Sequence, residues 1–212
     1  MTNPDLSGAL TLASPEACLA HYRAWAESYD AGFASDMEYR LPAHVAAAFM
    51  AAGGGSPVLD IGAGTGLLAE RLRDMGQDGP IDAVDFSAEM LERARAKGIY
   101  RRLTQADITR PIALPRQYGG LVSSGTFTAG HVGPDALPNL LALALPGARF
   151  ALSVNLRVWQ AMGFDRALAN LQDAGHIAGM QVIEVQVYGP AAATIDPAHA
   201  DDRAQIVLFR VA

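Results

Sequence analysis

The sequence predicts an α/β protein built on a doubly wound, mainly parallel seven-stranded sheet, and three observations predict it. Short apolar runs alternate with helix-like stretches between residues 57 and 174, the pattern of parallel strands joined by crossover helices. A Gly-x-Gly-x-Gly turn at Gly62, Gly64 and Gly66 follows the first run. Two apolar runs close the chain without a helix between them, which places one antiparallel strand in the edge region of the sheet.

In chain order, the sharpest break is the Gly-Gly-Gly-Ser-Pro stretch at residues 53–57. Residues 1–52 read as an N-terminal helical cap and residues 53–212 as the α/β unit, together one compact domain. In the cap, His21, Tyr22, Trp25, Ala26 and Tyr29 recur at helical spacing, and residues 41–52 form a second helix with Pro42 in its first turn. Strands are expected at 57–61, 81–84, around Leu103, at 120–123, 148–154, 180–188 and 205–211. Helices fill 67–75, 88–97, 134–145 and 164–174. Ser87 is placed to cap the second of these, and Gly76, Gly98, Pro146-Gly147 and Gly175 to stop each in turn.

Composition narrows the function. Half of the 212 residues are hydrophobic and 18% are charged, enough for a sizeable core. The net charge is −6, and the longest basic run, Arg101-Arg102 behind Arg93, Arg95 and Lys97, reads as a solvated helix face. No nucleic-acid partner is expected, because a backbone-gripping surface needs clustered cations. Cys18 is the single cysteine, so an intrachain disulfide and a CxxC metal site are both excluded. Its best reading is a small core residue in a reducing, cytoplasmic protein. No signal peptide or membrane-spanning run is found. His44, His176 and His199 stand at no metal-ligand spacing, so no metal is expected. The sequence is silent on oligomeric state.

Val-Leu-Asp-Ile-Gly-Ala-Gly-Thr-Gly at residues 58–66 carries the first functional signal. A buried strand enters a glycine turn and a helix leaves it, with free N–H groups at the helix start facing a ligand. Gly62 permits the tight turn, Gly64 close backbone approach, and Gly66 packing of helix on strand. A dinucleotide site needs its third glycine one residue later, where Leu67 stands. Asp60 would also repel a pyrophosphate, so a ligand without phosphates fits better. A purely structural turn is the remaining alternative. In such sheets ligands sit beyond the carboxyl ends of the strands, where strand order reverses. That points to the loops after Asp60, Asp85, Asp107 and Ser123. Asp85 ends the second strand, where a carboxylate can accept both hydroxyls of a ribose.

The chain resembles the class I S-adenosylmethionine-dependent methyltransferases, through residues 59–66, through Asp85-Phe86-Ser87-Ala88-Glu89-Met90-Leu91 and through Ala106-Asp107-Ile108. The fold so implied is Rossmann-like with the N-terminal helices as a lid. The resemblance implies S-adenosyl-L-methionine as cofactor and S-adenosyl-L-homocysteine as product. It implies that Gly62, Ala63, Gly64 and Gly66 cradle the amino-acid end, with Asp60 near the amino group, and that Asp85 holds the ribose. Phe86 and Met90 would wall the adenine, Asp107 would accept from its amino group, and Ile108 would offer a backbone N–H. The Trp-Ala-x-x-Tyr-Asp run at 25–30 resembles a segment that folds over the cofactor, where Tyr22 or Tyr29 can reach the carboxylate. Residues 98–100, 124–127 and 130–132 look like the Williams–Beuren-region methyltransferase-like proteins.

The fourth strand runs into Ser123-Ser124-Gly125-Thr126-Phe127. In this fold that end meets the methyl being transferred, which makes Ser123 a cofactor candidate and Thr126 an acceptor candidate. The Asp/Asn-Pro-Pro-aromatic motif of DNA amino-methyltransferases is missing, so a small-molecule acceptor is expected. His131 is the candidate base, needed only for an acceptor that keeps its proton near neutral pH. Asn155, Arg157 and Trp159 follow the fifth strand and could line the acceptor pocket. Two alternatives stay open: a binding protein of this fold without transfer chemistry, and a nicotinamide-dependent oxidoreductase.

Overall fold

The computed structural model describes residue 32, residues 34–128 and residues 132–212. Seven strands form one sheet: β1 (Val58–Ile61), β2 (Ile81–Asp85), β3 (Arg102–Gln105), β4 (Tyr118–Phe127), β5 (Ala144–Asn155), β6 (Ile177–Gln186) and β7 (Arg203–Val211). Their order is β3-β2-β1-β4-β5-β7-β6. The first five pair in parallel, and β7 runs antiparallel to both β5 and β6. The antiparallel strand therefore lies one place in from the edge. Burial explains the order. The unbroken run Ile206-Val207-Leu208-Phe209 is buried on both faces, as an interior strand must be, whereas β6 leaves Val182 and Ile183 more than 40% exposed at the rim.

The helices are α1 (Leu41–Ala51), α2 (Leu67–Asp74), α3 (Ala88–Ala96), α4 (Leu137–Leu141), α5 (Leu156–Trp159), α6 (Phe164–Asp173) and α7 (Ala192–Ile195). Side chains alternate across each strand, so Val122 and Leu121 enter opposite layers. Val122 joins Val45, Phe49, Leu72 and Ile206 in a core shared with α1 and α2. Leu121 joins Phe127, Leu137, Phe150, Phe164 and Leu168 on the other face. There Phe127 meets Phe164 edge-on at 5.5 Å, and Phe150 stacks on Phe209 at 4.6 Å. Helix α1, assigned with the cap from sequence, is a full member of the first layer and packs on α2, β4, β5 and β7.

Ser87 caps α3 as expected, its hydroxyl accepting from Met90 N–H at 3.2 Å. The helix expected at 134–145 is corrected. It is a 3₁₀ turn followed by α4, which ends at Leu141, and β5 begins at Ala144. Pro146 and Gly147 lie inside β5, in an exposed irregularity where the register passes from Tyr118↔Ala144 to Gly120↔Arg149. Such bulges absorb residues that cannot keep the ladder. Strand β4 also runs on to Phe127, past the expected Ser123, through a second register shift. The one-turn helices α5 and α7 had no sequence signal.

A buried acid ties β2 to the turn before β3 and to the start of β4. Asp82 is 1% exposed and accepts from Arg101 at 2.9 and 2.7 Å and from Tyr118 Oη at 2.9 Å. Burial alone would raise its pKa, but the hydrogen bonds from Arg101 and Tyr118 outweigh it and hold the carboxyl below its ordinary 3.8. Asp82→Ala strips the partner from a buried phenol and is expected to cost about 2–3 kcal/mol at pH 7. Because the folded pKa is depressed, that stability is present above pH 3.8 and lost as pH falls below it. Urea unfolding at pH 7 and pH 3 checks this: the gap between wild type and variant must shrink in acid.

Candidate functional site

The strand order reverses between β1 and β4, and the carboxyl ends of β1, β2 and β4 converge there. The glycine loop leaves β1 with Gly62, Gly64 and Gly66 all at positive φ (63°, 55° and 94°). Gly62 N–H and Ala63 N–H both donate to the Val84 carbonyl, at 2.8 and 3.1 Å, drawing the loop onto the end of β2. A side chain on Gly62 would overlap Thr126 Oγ1, whereas the space a Cβ on Gly64 would enter is open. A ligand can therefore approach the backbone at Gly64.

Asp85 closes the loop from the other side. Gly64 N–H donates to its Oδ2 and Ser87 N–H to its Oδ1, both at 2.8 Å. A carboxylate offers about four acceptor sites, so Asp85 retains capacity beyond these two bonds. Burial raises its pKa, against the backbone N–H groups of Ser87, Gly64 and Phe86. Asp60 is fully buried at the end of β1. Tyr100 Oη donates to its Oδ2 at 2.6 Å, and its Oδ1 is buried with no partner. Burial pushes Asp60 up to about 7, Tyr100 opposes the rise, and the charge of Asp85 adds to it. Two crowded acids and an orphaned oxygen make a site short of positive charge and of a donor. A group bearing an ammonium and a sulfonium fits it, so these residues suit the cofactor that the resemblance implies.

The end of β4 is tied to this loop. The hydroxyls of Ser123 and Thr126 lie 2.8 and 3.0 Å from the Ile61 carbonyl and 2.9 Å from each other. Ser123 is fully buried, at the junction between β4 and the glycine loop. Gly125 (φ 79°) turns the strand, donating its N–H to Ser153 Oγ at 3.0 Å. Tyr39 lies where a Cβ on Gly125 would go, and its hydroxyl is 3.5 Å from Ser124 Oγ. Its ring leans on Tyr188 at 5.7 Å, and burial pushes the phenol up to about 12, Ser124 opposing.

Other expected residues divide. Phe86 is 39% exposed beside Asp85, and Met90 is buried one helical turn on. Asp107 accepts from Thr109 N–H and Oγ1 at 2.9 and 2.6 Å, closing its own turn. Ile108 is buried, and its carbonyl accepts from Asn139 at 3.2 Å. Asn155, Arg157 and Trp159 each have protein contacts of their own. Asn155 caps α5, Arg157 grips Asp202 and the Ala198 carbonyl, and Trp159 packs on the core. Tyr22, Tyr29, Trp25, Cys18 and His131 lie outside the described residues. At Gly66 the Tyr100 ring stands 3.1 Å from where a Cβ would be. Sequence reading missed Tyr100 and Tyr39, since contacts made across 40 and 85 residues leave no spacing signal. Among the described residues no group of three or more His, Cys, Asp and Glu could hold a metal ion, and no helix is long and apolar enough to cross a membrane.

Comparison with known proteins bears on this geometry. A family model described as a methyltransferase domain matches residues 58–146. Human methyltransferase-like protein 27 is 32% identical over 173 residues, 76% of this chain and 69% of that protein. Among solved structures, the plantazolicin methyltransferase BpumL in complex with SAH aligns at TM-score 0.58 and 14% identity, over 92% of this chain and 96% of that one. The selenomethionine-substituted CurJ carbon methyltransferase aligns at TM-score 0.51 and 14% identity, over 73% of this chain and only 48% of that one. At these identities the structural likeness is one of fold.

Proposed function

Because this chain belongs to the class I S-adenosylmethionine-dependent methyltransferases, we propose that it methylates a small-molecule acceptor, with Asp85 and the glycine loop holding the cofactor and the end of β4 facing the acceptor. The observation that carries this is the clasp between Asp85 and Gly64 N–H at 2.8 Å beside the orphaned oxygen of Asp60. Bound S-adenosylmethionine supplies a methyl group on a sulfonium, whose positive charge already activates the leaving group.

The residues are then left with binding, orientation and exclusion of water. Asp85 accepts the ribose hydroxyls through its free lone pairs. Asp60 receives the ammonium, and the backbone at Gly64 takes the close approach. Phe86 offers its exposed ring to the adenine. The Ser123–Thr126–Ile61 latch keeps the end of β4 at a fixed distance from the loop, so acceptor and cofactor share one rigid frame. Tyr39 walls the acceptor side. His131 takes the proton from acceptors that hold one at neutral pH.

Net charge −6 and the missing Pro-Pro motif after β4 favour a small acceptor over a nucleic acid. The test is calorimetry with S-adenosylhomocysteine and with NAD, then turnover of labelled methyl groups against phenols, amines, thiols, RNA and protein. Binding of S-adenosylhomocysteine alone and label on a small molecule are expected. Label found only on RNA or protein, or cofactor binding with no acceptor labelled, overturns the acceptor reading.

A further inference from the structure

Tyr100 lies in the turn before β3, yet it completes the glycine loop. Its hydroxyl donates to Asp60 Oδ2 at 2.6 Å, and its ring fills the space that Gly66 leaves bare. The two oxygens of Asp60 are thereby made unequal, since Oδ1 is buried and has no donor. A buried acceptor is rarely left unpaired, because its lost hydration goes uncompensated. The bond from Tyr100 fixes the plane of the carboxyl about its Cβ–Cγ bond.

We propose that Tyr100 is a positioning residue for the cofactor's amino-acid end: by holding Asp60 Oδ2 it keeps Oδ1 turned to accept a hydrogen bond from the ammonium. This rests on the cofactor placement argued above. Tyr100 also sets the charge of Asp60. Burial raises that carboxyl, the Tyr100 hydrogen bond lowers it, and Asp85 at the end of β2 raises it. Glu70 on α2 adds negative charge on the Tyr100 side and is itself paired with Lys97 at 2.8 Å. Ser123 and Thr126 of β4 bring no charge. In this acidic surrounding the phenol donor favours the ionised carboxyl, the form that attracts a cation. The ionised fraction grows as pH rises through about 7, so cofactor binding tightens in that direction while the ligand's amino group stays protonated. Without the phenol the same rise moves to higher pH.

The experiment uses Tyr100→Phe, which keeps the ring against Gly66. Affinities for S-adenosylhomocysteine and for 5′-methylthioadenosine, which lacks the amino-acid end, are measured between pH 6 and 9. The expected result is about tenfold weaker S-adenosylhomocysteine binding at pH 7, partly recovering by about pH 8, with 5′-methylthioadenosine unaffected; tenfold corresponds to about 1.4 kcal/mol. Equal loss for both ligands at every pH, or no loss at pH 7, overturns the proposal. In an Asp60→Asn background, Tyr100→Phe is expected to change nothing further at any pH, and a persisting pH shift there also overturns it. Asp85→Ala separates the two levels: if it leaves both ligands bound as in wild type, the cofactor placement fails, whatever Tyr100 does.

Discussion

Asp60→Asn is expected to make the folded protein more stable above neutral pH while weakening its grip on the cofactor. The carboxyl ionises at an ordinary 3.8 when unfolded but only at about 7 in the buried site. A folded pKa raised in this way favours the native state fully below pH 3.8, and the advantage is lost progressively as pH rises to about 7. At pH 8 the wild type therefore carries a penalty of up to about 4 kcal/mol for ionising Asp60. Asparagine removes that penalty. It keeps an acceptor for Tyr100 and leaves a buried amide short of a partner, which takes back about 1–3 kcal/mol. The net gain is about 1–3 kcal/mol at pH 8, and near zero or negative at pH 4, read from urea midpoints at the two values. Cofactor affinity moves the opposite way, by about tenfold or more at pH 8, because a neutral amide does not attract the ammonium. A variant that is both less stable and unchanged in binding at pH 8 would remove Asp60 from the site.

Asp85→Ala is expected to have the largest effect on binding. It deletes two charge-assisted acceptors for the ribose, each worth about 1.5–3 kcal/mol. It also frees Gly64 N–H, whose 2.8 Å bond to Asp85 holds the loop in shape. Together these correspond to a loss of about 10²- to 10⁴-fold in S-adenosylhomocysteine affinity. The fold should survive, because the core on both sheet faces is built from other residues. Calorimetry with a thermal-melt control decides the matter, and an affinity within threefold of wild type contradicts the assignment.

Both variants probe features of different visibility. The position of Asp85 at the end of an apolar strand, before a Ser87 cap, is a local pattern, and so is the glycine turn. Asp60 is visible as a residue, but its burden is not. That depends on burial by several elements and on Asp85 standing close by. Tyr100 shows the same limit more sharply. Its turn reads as a connection, and only the parallel pairing of β1, β2 and β3 brings its hydroxyl to Asp60. Arg157 is a further case: its position after the fifth strand is local, but its bonds to Asp202 at 2.6 and 2.8 Å span 45 residues.

What the sequence determined by itself was whatever depends on near neighbours: the alternation of strands and helices, the Ser87 cap, the glycine turn and the acids at strand ends. These follow from backbone preference and hydrophobic period, which act over a few residues. Only the tertiary structure decided which strand lies inside the sheet, where Pro146 and Gly147 fall, and which donors reach Asp60. Those outcomes depend on burial and on contacts between residues far apart in the chain, and no local spacing encodes them.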